Sequence, residues 1–221
     1  MNIEQELDAG EFGAWLASIK AALGGDSGSE VPCGACTACC ASSQFVHIGP
    51  EETGTLAHIP PELLFPAPRL ARGNVVMGYD EYGRCPMLSD KGCSIYEHRP
   101  RTCRTYDCRI FAASELVDDD ADNQLITHQV ARWRFRYIDD SERATHGAVR
   151  LAATYLASNQ QARGAIGGVN GTQASLRALK IHEQFLRADE ATGRLSYFTP
   201  DPEALAAELA GREHGPGELS R

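Results

Sequence analysis

No cysteine occurs after Cys108, although the chain has eight, all between residues 33 and 108. That segregation is what the sequence must explain. No run of apolar residues approaches the 18 or so that a membrane-crossing helix needs, which excludes a helical span. The first residues, MNIEQELDAGEF, are acidic and lack the basic-then-apolar order of a secretory leader. The expectation is a cytoplasmic protein, where thiols stay reduced and structural disulfides are rare. Positive charge is scarce: 21 Lys and Arg stand against 30 Asp and Glu, a formal net charge of −9. That balance argues against nucleic acid and anionic membranes as partners of the whole chain, leaving room only for a local basic patch. A nucleophile elbow, a phosphate loop, an HExxH helix and internal repeats are all absent. The apolar share, 43%, is ordinary and fills a real core in 221 residues. The cysteines are therefore not the staples of a chain too small to fold.

Hydrophobic spacing sets the rest of the frame. Phe12, Trp15, Leu16, Ile19 and Leu23 recur at helical intervals over residues 11–23. GGDSGSEVP (24–32) ends that helix and leads into the cysteines. Residues 41–84 are rich in Pro and Gly and read as irregular, with Pro60, Pro61, Pro66 and Pro68 limiting regular structure between Ile59 and Leu70. Pro100 suits the first turn of a short helix running through Cys103 to about Ile110. DDDADN (118–123) is an acidic loop. In VARWRFRYI (130–138), Trp133, Phe135 and Tyr137 alternate with Arg132, Arg134 and Arg136, which is strand periodicity. Ser141 is a candidate cap for a helix carrying Ala144, Ala148, Ala152, Tyr155 and Leu156 on one side. GAIGGVNGT (164–172) is a loop, and a helix at about 173–188 buries Leu176, Leu179, Phe185 and Leu186. PDPEALAAELAG supports one short helix before a frayed tail. The expected fold is mainly α, a small domain organised around a cysteine-ligated centre, with at most one short β element at 130–138. Its expected parts are an N-terminal helix (1–28), the cysteine region (29–112), a mainly helical part packing on it (113–198), and a short helix with a tail (199–221).

The first four cysteines lie in CGACTACC (33–40), as Cys33, Cys36, Cys39 and Cys40. On a helix these positions span an arc of roughly 120°. In a tight loop, a Cys-x-x-Cys pair sets two sulfurs on one metal. The spacers Gly34, Ala35, Thr37 and Ala38 are all small and let the backbone curl closely. Adjacent Cys39 and Cys40 fit one ion poorly; they point to different metals, or one of them is not a ligand. Cys85, Cys93, Cys103 and Cys108 follow at wider intervals, as in a chain that returns repeatedly to one place. Cys85 precedes Pro86 and Cys93 follows Gly92, both loop settings. Arg84, Lys91, Arg99, Arg101, Arg104 and Arg109 outnumber Asp90, Glu97 and Asp107 in the same stretch. Basic neighbours lower thiol pKa and suit the negative charge of thiolate–metal sites, though arginines also simply cover helix surfaces. Clustering without a leader favours metal over disulfides.

This pattern resembles the CxxCxxCC cysteine-cluster family, the YkgJ-like proteins described as zinc- or iron-chelating. The resemblance rests on Cys33, Cys36, Cys39 and Cys40 and on GCSIYEHRPRTCR with Cys85, Cys93, Cys103 and Cys108, over about residues 30–112. It implies that all eight cysteines are metal ligands: iron or an iron–sulfur cluster, or alternatively zinc. Flagellin lysine-N-methylases are similar in their cysteine cluster, which implies that some relatives couple the centre to modification chemistry. No Gly-rich methyl-donor loop after a strand accompanies it here. Four thiolates suit a closed zinc site and equally an iron–sulfur cluster. The usual ferredoxin run C-x2-C-x2-C-x3-C is missing.

Other residues have plainer readings. His47, His58 and His98 lie near the cysteines, and each is more often an ordinary surface or core histidine than a ligand. Tyr96 and Tyr106 read as packing around the centre, and His128 and His182 as structural. RWRFRY can stack single-stranded bases but is better read as a half-buried strand. Three functions stay open: a metal-binding protein, a metal-dependent redox or peptide-modifying enzyme, and a metal-folded interaction module. An open coordination position distinguishes the enzyme. Substrate, protein partner, metal count and oligomeric state are not legible.

Overall fold

A computed structural model describes residues 5–24, 28–29, 31–116, 124–158, 171–203 and 205. The acidic loop, most of the 164–172 loop and most of the final short helix and tail lie outside these residues. The chain divides into two compact units, one of residues 1–112 and 118–136, the other of residues 113–117 and 137–221.

The first unit opens with β1 (Leu7–Glu11) and α1 (Phe12–Gly24). Phe12, Trp15, Leu16 and Ile19 are buried as their spacing predicts, whereas Leu23 at the end of the helix is exposed. Strand β7 (Trp133–Arg136) pairs in parallel with β1, with a bulge between Asp8 and Gly10. Gly10 sits there at φ +89°, a conformation that β-carbon sterics deny most residues. Phe135 packs on Phe12 and Trp15 at ring separations of 5.3 and 4.8 Å. The opposite face pairs Arg134 with Glu6 and Arg136 with Asp8 and Glu11. The alternation in 130–138 thus buries an aromatic face and leaves the arginines exposed beside the carboxylates of a neighbouring strand.

A three-stranded antiparallel sheet follows, in the order β2 (Val46–Ile48), β4 (Val75–Met77), β3 (Leu64–Pro66). Its inner face places Val46, Ile48 and Met77 with Ile59, Met87 and Ile95 in one apolar cluster. Full burial of a side chain such as Ile48 stabilises by about 1.5–3 kcal/mol. One-turn α2 (Thr53–Leu56) joins this region, and hairpin β5 (Leu88–Ser89)/β6 (Gly92–Cys93) turns through Gly92 at φ +99°. Helices α3 (Arg101–Thr105), α4 (Arg109–Ser114) and α5 (Gln124–Val130) complete the helical segments before β7; Ser114, the last residue of α4, falls in the second unit.

The second unit sets α6 (Asp140–Ser158) against α7 (Gly171–Ile181), with hairpin β8 (Leu186–Ala188)/β9 (Leu195–Tyr197) beside them. Ala144, Ala148, Val149, Ala152, Ala153 and Leu156 form the buried face of α6. Asp139, not Ser141, caps that helix: its Oδ1 accepts from the N–H groups of Ser141 (2.9 Å) and Glu142 (3.0 Å).

The expectation of a mainly α fold with one short β element is therefore wrong. The fold is mixed α/β, with nine strands in four small sheets among the described residues. Seven of these strands lie outside 130–138 with only two or three residues each, too short to show a period-2 pattern, and β1 hides its pattern behind its bulge. Pro66 did not exclude a strand because β3 is an edge of its sheet, where the missing N–H costs no ladder bond. The helix expected from Pro100 to Ile110 is broken instead by extended Tyr106 between α3 and α4. The helix expected at 173–188 ends at Ile181, passes through a single 3-10 turn and becomes β8.

Candidate metal centre

The first cysteine cluster is neither one helix nor one loop. Cys33–Cys36 is a tight turn, with the Cys36 N–H donating to Cys33 O at 2.9 Å and Gly34 at φ +56°. Ala38–Ala41 then winds a single 3-10 turn carrying Cys39 and Cys40, closed by Ser42 Oγ donating to Ala38 O (2.6 Å). Small spacers permit both turns.

Backbone contacts bring the later cysteines back. The Cys85 N–H donates to Cys40 O at 2.7 Å, and the Ser43 N–H to Gly83 O at 2.8 Å, so residues 83–85 run alongside 40–43. A turn from Cys85 O to the Leu88 N–H enters hairpin β5/β6, where Cys93 stands opposite Leu88. Cys103 lies on α3, which Thr102 fastens to β2 through its Oγ–H bond to His47 O (2.7 Å). Cys85, Cys93 and Cys103 pack against the apolar cluster behind the three-stranded sheet.

Cys108 sits in different company. The Trp133 indole N–H donates to its sulfur at 3.3 Å. Beside it, the buried Asp107 carboxylate accepts from Trp15 Nε1 (3.0 Å), Ser29 Oγ (2.7 Å) and the Arg109 guanidinium (2.7 Å). Ser29 and the Ser29 N–H bond to Arg104 O draw the chain just before Cys33 towards Asp107. This polar surround was missed in the sequence, where Trp133 read only as a strand aromatic and Asp107 only as a count of charge. The D-C-R string at 107–109 was the available signal.

All eight cysteines carry free thiols. Cys33 and Cys39 are exposed, Cys108 is buried, and the others are intermediate. Although residue Cys33 is exposed, partial desolvation of its sulfur pushes the thiol up to about 11, with Cys39, Cys36 and Asp107 adding to the shift and Arg109 opposing it. Burial likewise lifts Cys103 to about 12 and Cys108 to about 12, the latter against the opposing Trp133 N–H. Cys85 is raised by burial. Cys39 is lowered to about 7, chiefly because the Cys40 thiol donates to it, and Cys40 is raised for the same reason. Burial and crowding raise these thiols in spite of the guanidiniums of Arg109, near Cys33, and Arg99, near Cys103, and a bound cation would oppose the crowding more directly. Among the described residues no three His, Cys, Asp or Glu side chains already form a closed metal-holding set. The thiols lie in electrostatic reach of one another.

The histidines near the cysteines have other partners. His47 Nε2 bonds Asn74 Oδ1 at 2.9 Å. His58 bonds Gly54 O through Nδ1 and stacks on His98, ring centroids 3.6 Å apart. His98 lines a shallow cleft of about 330 Å³ with Glu51, Glu52, Glu97, Arg101 and Arg104. Tyr96 lies under the Arg99 guanidinium at 3.5 Å. Burial raises the Tyr106 phenol first, and Cys108 and Cys39 add to the shift. His182 is buried and bonds Leu179 O, and His128 lies on α5. No helix among the described residues is long and apolar enough to cross a membrane.

Residues 32–125 match the model of the CxxCxxCC family, described as "Putative zinc- or iron-chelating domain". The match takes in every cysteine and covers under half of the chain. No curated protein and no solved structure matches. The family description names the same chemistry that the thiols, their crowding and the indole donor support, and residues 32–125 are similar to that family's domain.

Proposed function

We propose that this protein binds zinc or iron through thiolates of all eight cysteines: Cys33, Cys36, Cys39, Cys40, Cys85, Cys93, Cys103 and Cys108. The observation that carries the reading is how later cysteines meet the CGACTACC turns: Cys85 bonds Cys40 through the backbone, Cys103 lies in electrostatic reach of Cys39, and Cys108 of Cys33 and Cys36. Eight unrelated thiols would not gather in this way. The donor set fits a thiophilic cation, because four thiolates are the usual ligands of both structural zinc and iron–sulfur clusters. Bound metal supplies the positive charge that lets these thiols ionise. The chain's own part is to hold the sulfurs together and to aim the Trp133 N–H at one of them, which disperses thiolate charge.

The test is metal content after anaerobic purification without an affinity metal, for wild type, Cys36→Ser and Cys103→Ser. The reading expects zinc or iron in the wild type and less in each variant, with a fall in thermal stability where metal is lost. Visible absorbance with acid-labile sulfide identifies an iron–sulfur centre; colourless protein with zinc identifies a closed zinc site. Two variants that keep full metal content and fold normally contradict the reading.

A further inference from the structure

The eight cysteines do not share one environment. Cys40, Cys85, Cys93 and Cys103 belong together by backbone and by packing. The Cys85 N–H bonds Cys40 O, Cys85 leads into the hairpin that carries Cys93, and Cys85, Cys93 and Cys103 all touch the same apolar cluster. Cys33 and Cys36 share one tight turn, and Cys108 lies in electrostatic reach of both. That second set borders Asp107, Arg109 and Trp133 rather than the apolar cluster. It also contains the exposed Cys33.

Cys39 and Cys40 decide the partition. They are successive residues of a 3-10 turn, in which each step rotates the side chain by about 120°. Their thiols still meet, Cys40 donating to Cys39, so the pair stands between the two sets. Cys39 is exposed and lies in electrostatic reach of Cys33 as well as of Cys85 and Cys103, whereas the backbone of Cys40 is bonded to Cys85; exposure places Cys39 on the solvent side and the backbone bond places Cys40 on the apolar side.

We infer that the cysteines form two four-thiolate centres: Cys40, Cys85, Cys93 and Cys103 in an apolar shell, and Cys33, Cys36, Cys39 and Cys108 on a polar side open to solvent. The vicinal pair gives one ligand to each. This rests on the reading that the cysteines bind metal and adds how they divide. The apolar centre ties the 3-10 turn, the hairpin and α3 to the sheet, so its metal is part of the fold. The polar centre holds two short stretches, its exposed sulfurs are within reach of a chelator or a small thiol, and its metal exchanges faster.

The experiment uses the full chain, stripped of metal under reducing, anaerobic conditions and titrated with cobalt(II) alone, whose thiolate bands report binding optically. Wild type is expected to take up two cobalt ions per chain. Cys36→Ser and Cys93→Ser are each expected to keep one, and the double variant none at comparable affinity. Uptake of one ion by wild type, or loss of all cobalt from either single variant, overturns the partition and leaves the metal reading standing. No thiolate bands in wild type overturn both. Should a variant fail to fold, wild type decides alone: release of two bound cobalt ions to excess chelator in two phases of equal size supports two unlike centres, and a single phase overturns them.

Discussion

Trp133 offers a way to tune the proposed centre without replacing a proposed ligand. Its indole N–H reaches Cys108 Sγ at 3.3 Å from a buried position. Trp133→Phe keeps an aromatic ring and removes the donor. Outer partners of this kind typically set metal affinity by 10–100-fold, so a loss of about tenfold is expected in chelator competition. Unchanged affinity would make the contact incidental. Proton balance gives a second expectation. Cys33, Cys103 and Cys108 are held up at about 11, 12 and 12, so they are protonated in the metal-free protein at pH 7 and must release protons on binding. Metal affinity therefore rises with pH, and metal added at neutral pH acidifies a weakly buffered solution. A pH-independent affinity would argue against thiolate ligation. In the second unit, His146 accepts from the Tyr137 hydroxyl at Nδ1 (2.6 Å) and donates from Nε2 to Ala113 O (3.0 Å). Burial lowers it from 6.5 to about 4. The unfolded chain then binds the proton more readily than the folded one, so stability is highest above pH 6.5 and falls as pH drops towards 4. The loss amounts to about 3 kcal/mol. Urea unfolding of wild type and His146→Gln at pH 7 and pH 4.5 checks this, with the pH-dependent loss expected to shrink in the variant.

Gly147 shows how an element can overrule intrinsic propensity. It lies inside α6, where alanine is ordinarily favoured over glycine by about 1 kcal/mol. Here a β-carbon at 147 would collide with the Tyr197 ring of β9. Gly147→Ala is thus expected to destabilise, and Tyr197→Ala should convert the same substitution into a stabilising one. A Gly147→Ala variant more stable than wild type in thermal unfolding would contradict the contact. The example also shows what was legible. Long elements announced themselves: α1 through Phe12, Trp15, Leu16 and Ile19, and α6 through its alanine face. The three-stranded sheet did not, because β2, β3 and β4 have three residues each and their pattern exists only across strands. The clustering of the cysteines between residues 33 and 108 was legible because clustering survives in one dimension, and their role as ligands is a proposal. Their neighbours were not: Trp133 meets Cys108 across 25 residues and Trp15 meets Asp107 across 92.

At the scale of the molecule, the metal is expected to hold the first unit. Cys40, Cys85, Cys93 and Cys103 join the 3-10 turn, the hairpin and α3, none of which buries much by itself. Chelation should therefore expose protease sites within residues 31–112 earlier than within 137–158, as read by the order of fragments in limited proteolysis. The claim beneath all of this is that sulfur holds the metal. X-ray absorption at the edge of the metal found in anaerobically purified protein tests it most directly. The account predicts a first shell of sulfur alone, near 2.3 Å for zinc, and its loss in a variant lacking Cys36 and Cys103. A first shell of nitrogen and oxygen, or a well-folded protein with eight titratable thiols and no metal, would contradict it.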